Sequence, residues 1–330
     1  MYTSLYVRGW HLMLSTLVHP THKVGARSST MTESVEAWIL PLNDKYYQPD
    51  SDEEQFLKEE IGILDSEELK KHIIAVQTKA FAIYPYPCIR IFEFTRLRLG
   101  RHPAYKQLLK LGEERKDGIL IDLGTCFGND IRKAVQDGYP VKNTLATDLR
   151  KGLWDLGHEM FRSSPETFQT NFIEGDVFNT QFLECLPLFT LKSPPSISPP
   201  SLDTVKTLNA LHGHVSAFYT GAFFHLFDEQ QQAHIARALA GLLSPIPGSM
   251  ILGVHGGSSS KGYWCPTAST YKMFCHSPES WKELWRDIFE GENVEVQAEL
   301  RQGAGGADFF DTFPGNHNPY HYMEWSVRRL

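Results

Sequence analysis

From Asp117 onward, short apolar runs alternate with stretches of helical spacing. ILI (Ile119–Ile121), TLATD (Thr144–Asp148), NFIEGD (Asn171–Asp176), VSAFY (Val215–Tyr219) and SMILGV (Ser249–Val254) read as strands. Helices are predicted between them over Asn129–Asp137, near Trp154–Phe161, near Thr180–Leu186, and over Asp228–Leu243 with Asp228 as N-cap. Strands alternating with helices call for a largely parallel, doubly wound α/β sheet with helices on both faces. VEVQAEL (Val294–Leu300) and HYMEWSV (His321–Val327) alternate with period two and suit strands with one buried face at the end of the sheet. Residues 51–115 carry the helical period instead. Ser66 is the expected N-cap of a helix whose apolar face is Leu69, Ile73, Val76 and Ala80. Pro85 and Pro87 break that helix, and another is expected over Arg101–Leu111. The expected organisation is therefore an extension at 1–30, an N-terminal helical cap at 31–116 and the α/β domain at 117–330. KSPPSISPPS (Lys192–Ser201), with four prolines, is a surface loop.

The 330 residues are 42% hydrophobic and 22% charged, ordinary for a globular chain. A net charge of -7 argues against a nucleic-acid partner bound through phosphate neutralisation. No apolar run approaches the ~20 residues that span a bilayer. Five scattered cysteines suit reduced thiols and a cytoplasmic setting, and Cys265 beside Cys275-His276 lacks the paired spacing of a zinc site. Residues 1–30 hold basic residues but no acid, the first being Glu33. That composition fits an upstream extension before Met31, with an organellar targeting segment as the alternative, and expected disorder in either case.

Three predicted strands end in an acid: Asp122, Asp148 and Asp176. Ligands of doubly wound sheets sit beyond the carboxyl ends of the strands. Asp122 precedes a bend, Gly124-Thr125-Cys-Phe-Gly128, where backbone can approach a ligand closely. Asp148 follows Gly128 by twenty residues, the place of a carboxylate that accepts from two ribose hydroxyls. Asp176 can face an adenine amino group, with the Val177 N–H toward the ring. One such acid could be a helix cap; three in register with a glycine bend point to a nucleoside site. The G-x-G-x-x-G fingerprint of a dinucleotide site lacks its middle glycine here, and an acid at Asp122 would repel a pyrophosphate while suiting an ammonium group. A nicotinamide-dependent oxidoreductase is thereby disfavoured.

Asp122-Leu-Gly124-Thr-Cys-Phe-Gly128 resembles the first motif of class I, seven-stranded, Rossmann-like S-adenosylmethionine-dependent methyltransferases, with Cys126 in place of the commoner middle glycine. YPYPCIRIFEF, DLGTCFGNDIRKAVQDG and Thr220–Gly257 together are similar to fungal methyltransferases that esterify the carboxylic acid of farnesylated aromatic intermediates in meroterpenoid pathways. The resemblance runs from about Met31 to the C-terminus. It implies S-adenosylmethionine as cofactor, with Gly124, Asp148, Leu149, Asp176 and Val177 among its contacts. It also implies a small hydrophobic acid as substrate, and allows a homodimer.

A carboxylic acid of pKa ~4 is already ionised at neutral pH and needs no general base, whereas a phenol of pKa ~10 does. His225 and His255 are the histidines expected near cofactor-side strand ends, as candidates to orient the acceptor or act as base. Tyr219 is expected to line the cofactor pocket. Phe223, Phe224, Phe227, Tyr263 and Trp264 could form an apolar acceptor pocket or be plain core. The alternatives are methylation of a phenol or amine on another scaffold, and a non-catalytic relative that keeps the cofactor site.

Overall fold

The computed structural model describes residues 40–266, 272–302 and 320–330, so the expectation for residues 1–30 lies outside the described residues. The five parallel strands are β1 (Ile119–Leu123), β2 (Thr144–Asp148), β3 (Asn171–Glu174), β4 (Val215–Gly221) and β5 (Met250–Gly257). A hairpin of β6 (Gly262–Trp264) and β7 (Met273–Cys275) follows, then β8 (Val294–Gln302) and β9 (His321–Arg329). The main sheet has seven strands in the order β3-β2-β1-β4-β5-β9-β8. β9 runs antiparallel to both β5 and β8. Strand order reverses at β1, which lies between β2 and β4, so the bend after β1 opens at the switch point where α/β sheets bind ligands.

Side-chain alternation divides the two faces of the sheet. Ile119, Ile121 and Leu123 of β1 join Phe218, Ile251 and Trp325 in one core. That core packs on α7 (Glu229–Leu242) and α8 (Pro278–Ile288). Leu120, Ala217, Tyr219 and Leu252 point the other way, into a second core with Leu108 and Leu111 of α4 (Tyr105–Glu114). Asp122 continues the Leu120 row and pairs in register with Tyr219, so both face the α4 side.

The cap begins with α1 (Ser51–Ile61) and α2 (Ser66–Ile83). The N-cap of α2 is Asp65, which accepts from the Glu68 N–H, one residue earlier than expected. The predicted face of α2 is fully buried at Leu69, Ile73, Val76 and Ala80. It packs with Leu153, Met160 and Phe161 of the segment around α6 (Lys151–Met160) and with Phe127 of the glycine bend. Burying each of the larger side chains contributes roughly 1.5–3 kcal/mol. Pro85 lies beyond the end of α2, while Pro87 opens the short helix α3 (Pro87–Arg90) at its first position, where a missing N–H costs nothing.

One expected helix is absent. No helix forms over 180–186, because local polar bonds take the backbone instead: Asp176 and Asn179 side chains accept from the N–H groups two residues on. The Asn209 side chain also accepts from the Glu184 N–H. Conversely, α8 was not expected, although Ser277 caps it and Pro278 occupies its first turn.

In the cap, the Glu53 carboxylate is 1% exposed and accepts from Arg96 Nη1 at 2.7 Å and Arg101 Nη1 at 2.9 Å. Removing its charge strands Arg96, so Glu53→Gln is expected to cost about 3 kcal/mol. In urea titration this reads as a lower midpoint at unchanged slope. A loss below about 0.5 kcal/mol would place this pair with ordinary surface ion pairs.

Candidate active site

The bend after β1 is wedged between two rings. Gly124 and Gly128 both have φ +76; a Cβ on Gly124 would lie 2.6 Å from the Phe223 ring, and one on Gly128 2.6 Å from Trp154. Cys126 takes φ 52 and so adopts the left-handed conformation that a glycine would take freely. The Gly124 and Thr125 N–H groups both donate to the Thr147 carbonyl, at 2.9 and 3.1 Å. This ties the bend to the end of β2.

Asp122 Oδ2 accepts from the Thr125 hydroxyl at 2.6 Å. Burial pushes the Asp122 carboxyl up to about 8; the Thr125 bond pulls it back, and the Asp130 and Asp148 carboxylates push it further up. Asp130, also buried, is raised to about 6 for the same first reason, against the Leu99 N–H that it accepts. The Tyr219 hydroxyl lies beside these two acids, and burial with their charge holds it well above the phenol range. Asp148 braces the bend: its two oxygens accept from Cys126 N at 3.0 Å and Arg150 N at 2.9 Å. Each oxygen keeps a second lone pair for a ligand. Leu149 is 52% exposed beside it. Asp176 does not end its strand: β3 stops at Glu174, which pairs with Asp148, and the exposed Asp176 lies two residues on, where its Oδ1 accepts from the Phe178 N–H; the Val177 side chain is buried.

The two histidine candidates separate. His225 follows β4, and its Nδ1 accepts from the Gly256 N–H at 3.0 Å, so the neutral ring carries its proton on Nε2. Burial lowers its pKa to about 4, with Glu93 acting in the opposite direction. His255 does not end its strand, since β5 continues to Gly257. Its Nδ1 accepts from Trp325 Nε1 at 2.9 Å, and its ring centroid is 4.7 Å from that of Trp281. His255 is thus a core residue on the α7/α8 face, away from Asp122. Of the aromatic set, Phe224 and Trp264 are buried, Phe223 covers Gly124, Phe227 is half-buried, and Tyr263 is 62% exposed.

Sequence reasoning missed the polar residues of the cap that reach this place. Arg96 through Gly100 lie against the start of α5 (Asn129–Gln136): Asn129 Nδ2 donates to the Arg96 carbonyl at 2.8 Å, and Leu99 N donates to Asp130 Oδ1 at 2.9 Å. The signal was present in Asn129-Asp130, a polar pair directly behind the bend and buried in spite of its polarity. Two clefts, of about 340 Å³ beside Phe56 and Arg101 and about 620 Å³ beside Trp154 and Phe172, are lined by none of the strand-end acids. Among the described residues no cluster of ligands suits a metal, and no helix is long and apolar enough to cross a membrane.

A seven-stranded sheet with this order, an antiparallel β9 and an acid-preceded bend at the switch point is the fold of the class I methyltransferases. Residues 44–95 match the family described as "Meroterpenoid methyltransferase N-terminal domain". The chain is 30% identical to the Asnovolin E/Chermesin D methyltransferase nvfJ of Aspergillus novofumigatus, over 70% of this chain and 73% of that one. It is 28% identical to the O-methyltransferase phiE of a fungal species, over 81% and 82% of the two chains. It belongs to the family of fungal meroterpenoid methyltransferases. Among solved structures, an S-adenosylmethionine-dependent methyltransferase from Mesorhizobium loti aligns at TM-score 0.39 and 14% identity, covering 70% of this chain and 100% of that one.

The raised Asp122 carboxyl has a sign that can be tested. Its folded pKa of about 8 lies above its unfolded value, so the folded chain holds a proton that the unfolded chain has released. Its contribution to stability is full below the unfolded pKa and is lost as pH rises through about 8. The stability of the ligand-free protein from denaturant titration should therefore fall between about pH 5 and about pH 8, by up to about 1.4 kcal/mol per pH unit, and level off above that; Asp122→Asn should flatten that decline. An identical decline in the variant would assign the slope to other groups.

Proposed function

We propose that this methyltransferase forms a methyl ester on the carboxylate of a small hydrophobic acid, a prenylated aromatic acid of meroterpenoid biosynthesis. The observation that carries the reading is the state of His225. With Nδ1 engaged by Gly256 and a pKa of about 4, it presents an N–H and is too weak a base to deprotonate a phenol. That arrangement suits an acceptor that arrives already ionised. The names of the relatives, which include an O-methyltransferase and a methyltransferase of asnovolin E, are consistent with this class of substrate.

The donor set suits S-adenosylmethionine. Asp122, Asp130 and Asp148 gather three acids at the bend, whose ionised forms a ligand carrying an ammonium and a sulfonium would stabilise. We assign the methionine end to Asp122, Gly124, Thr125 and Gly128, with Tyr219 behind them. The ribose falls to Asp148 and Leu149, and the adenine to Asp176 and Val177. When bound, the cofactor supplies an electrophilic methyl group. The protein aligns the acceptor, keeps water from its carboxylate and donates from His225 Nε2.

Calorimetry with S-adenosylmethionine, S-adenosylhomocysteine and NAD tests the cofactor assignment. The first two should bind and NAD should not. Asp148→Ala should weaken both by about ten- to a hundredfold, the scale of one or two charge-assisted hydrogen bonds. Equal affinity in Asp148→Ala would remove Asp148 from the site, and binding of NAD alone would contradict the methyl-donor reading.

A further inference from the structure

The cap's last loop carries two arginines with opposite fates. Arg96 is sealed against Glu53, with side chains 8% and 1% exposed. Arg98, two residues on, pairs with Glu93, yet the two side chains remain 27% and 23% exposed. Arg98 Nε donates to Glu93 Oε1 at 2.5 Å, and Nη2 reaches the same oxygen. Among the described residues nothing else accepts from this guanidinium, so most of its five N–H donors are uncommitted to protein. Its position is nonetheless fixed. The backbone on either side is held by Asn129 and Asp130, and the guanidinium lies 4.8 Å from the centre of the Tyr322 ring.

Tyr322 pairs with Gly256 in the β5–β9 ladder, and Gly256 N–H is the group that fixes His225. Arg98 and His225 are therefore mounted on the same rung of the sheet, at the carboxyl end of β5. Backbone strain marks the place as well. Among the described residues four non-glycine residues have φ in the left-handed region, and three serve this site: Phe92 (φ 59) before Glu93, Cys126 (φ 52) in the bend, and Ala222 (φ 52) before Phe223. Each costs of order 1–3 kcal/mol and persists only where the surroundings dictate it.

We propose that Arg98 is the residue that recognises the acceptor's carboxylate, with Glu93 as a built-in competitor that neutralises the cation until an acid enters. The inference rests on the ester-forming reading above and adds the residue that selects for it. Guanidinium and carboxylate match in charge and in planar shape. One acceptor oxygen held by Arg98, with His225 Nε2–H as a second donor, leaves the other oxygen free as nucleophile. An acceptor without a carboxylate has no means of drawing Arg98 from Glu93, so the pair also discriminates against neutral phenols.

The test is binding of a farnesylated 2,4-dihydroxybenzoic acid and of its carboxamide, by calorimetry with S-adenosylhomocysteine present at saturation. Arg98→Gln should weaken the acid at least tenfold and leave the carboxamide within twofold. Glu93→Gln should act in the opposite direction and tighten the acid, a sign that mere structural damage would not produce. The affinity of each variant for S-adenosylhomocysteine reports that its fold is intact, and if Arg98→Gln does not fold, the sign for Glu93→Gln decides. Unchanged acid binding in Arg98→Gln, or weakening in Glu93→Gln, overturns the proposal. A wild-type protein that takes up neither compound contradicts the substrate reading itself, and this inference with it; one that takes up the carboxamide as tightly as the acid overturns the role of Arg98 alone.

Discussion

Two hydrogen bonds behind the glycine bend hold the molecule's two functional halves together. Asn129 donates from Nδ2 to the Arg96 carbonyl, and Asp130 accepts from the Leu99 N–H. Both side chains are buried, so each bond is made in a medium where leaving it unmade would cost about 1–3 kcal/mol. The bend itself is fixed from the sheet side by Thr147 and Asp148. One short loop is thus braced by β2 on one side and clamps the cap on the other. His102 adds another tie, between its ring Nε2 and the Trp325 carbonyl of β9 at 3.1 Å. Residues 96–102 of the cap are therefore held in fixed register against α5 and β9.

The electrostatics of the site follow from that closure. Asp122, Asp130 and Asp148 are all pushed upward, burial being the largest cause in each. Such a cluster is a poor choice for stability alone, since burial penalises the ionised form of each acid. It becomes favourable when a cation occupies the site, because opposite charge stabilises the ionised form. The trade is the usual one between a strained, pre-organised site and the stability of the empty protein. At the same carboxyl edge of the sheet, beyond β5, neutral His225 carries an N–H and Arg98 a positive charge. Arg98 also acts on Asp130 and Tyr219, so the guanidinium and the acids share one field.

Much of this was legible in the sequence, because it depends on local pattern. Each predicted strand formed, and the buried face of α2 and the capping role of Asp228 follow from spacing and side-chain chemistry alone. The strand-end acids could be read because chain order fixes which residue follows each strand. His225 and His255 could not be told apart that way. The difference lies in Gly256 and Gly257, which look like a turn but pair with Tyr322 and His321 and carry β5 past His255. Glu93 and Arg98 were invisible for a deeper reason: nothing in RIFEFTRLR says which of its charges is sealed and which is open. That depends on Phe92 adopting a left-handed conformation and on Asn129 and Asp130, thirty residues away, holding the backbone. The helix α8 was legible and unread, since Ser277, Pro278 and the Trp281–Trp285 spacing together spell a capped amphipathic start.

The central claim is that the methyl group goes to a carboxylate. Incubating the protein with methyl-labelled S-adenosylmethionine and the farnesylated dihydroxybenzoic acid, then treating the product with mild alkali, reads this directly. Label released as methanol, with the free acid regenerated, is the result expected of a methyl ester. Label that survives alkali would be a phenol ether, and would contradict the account.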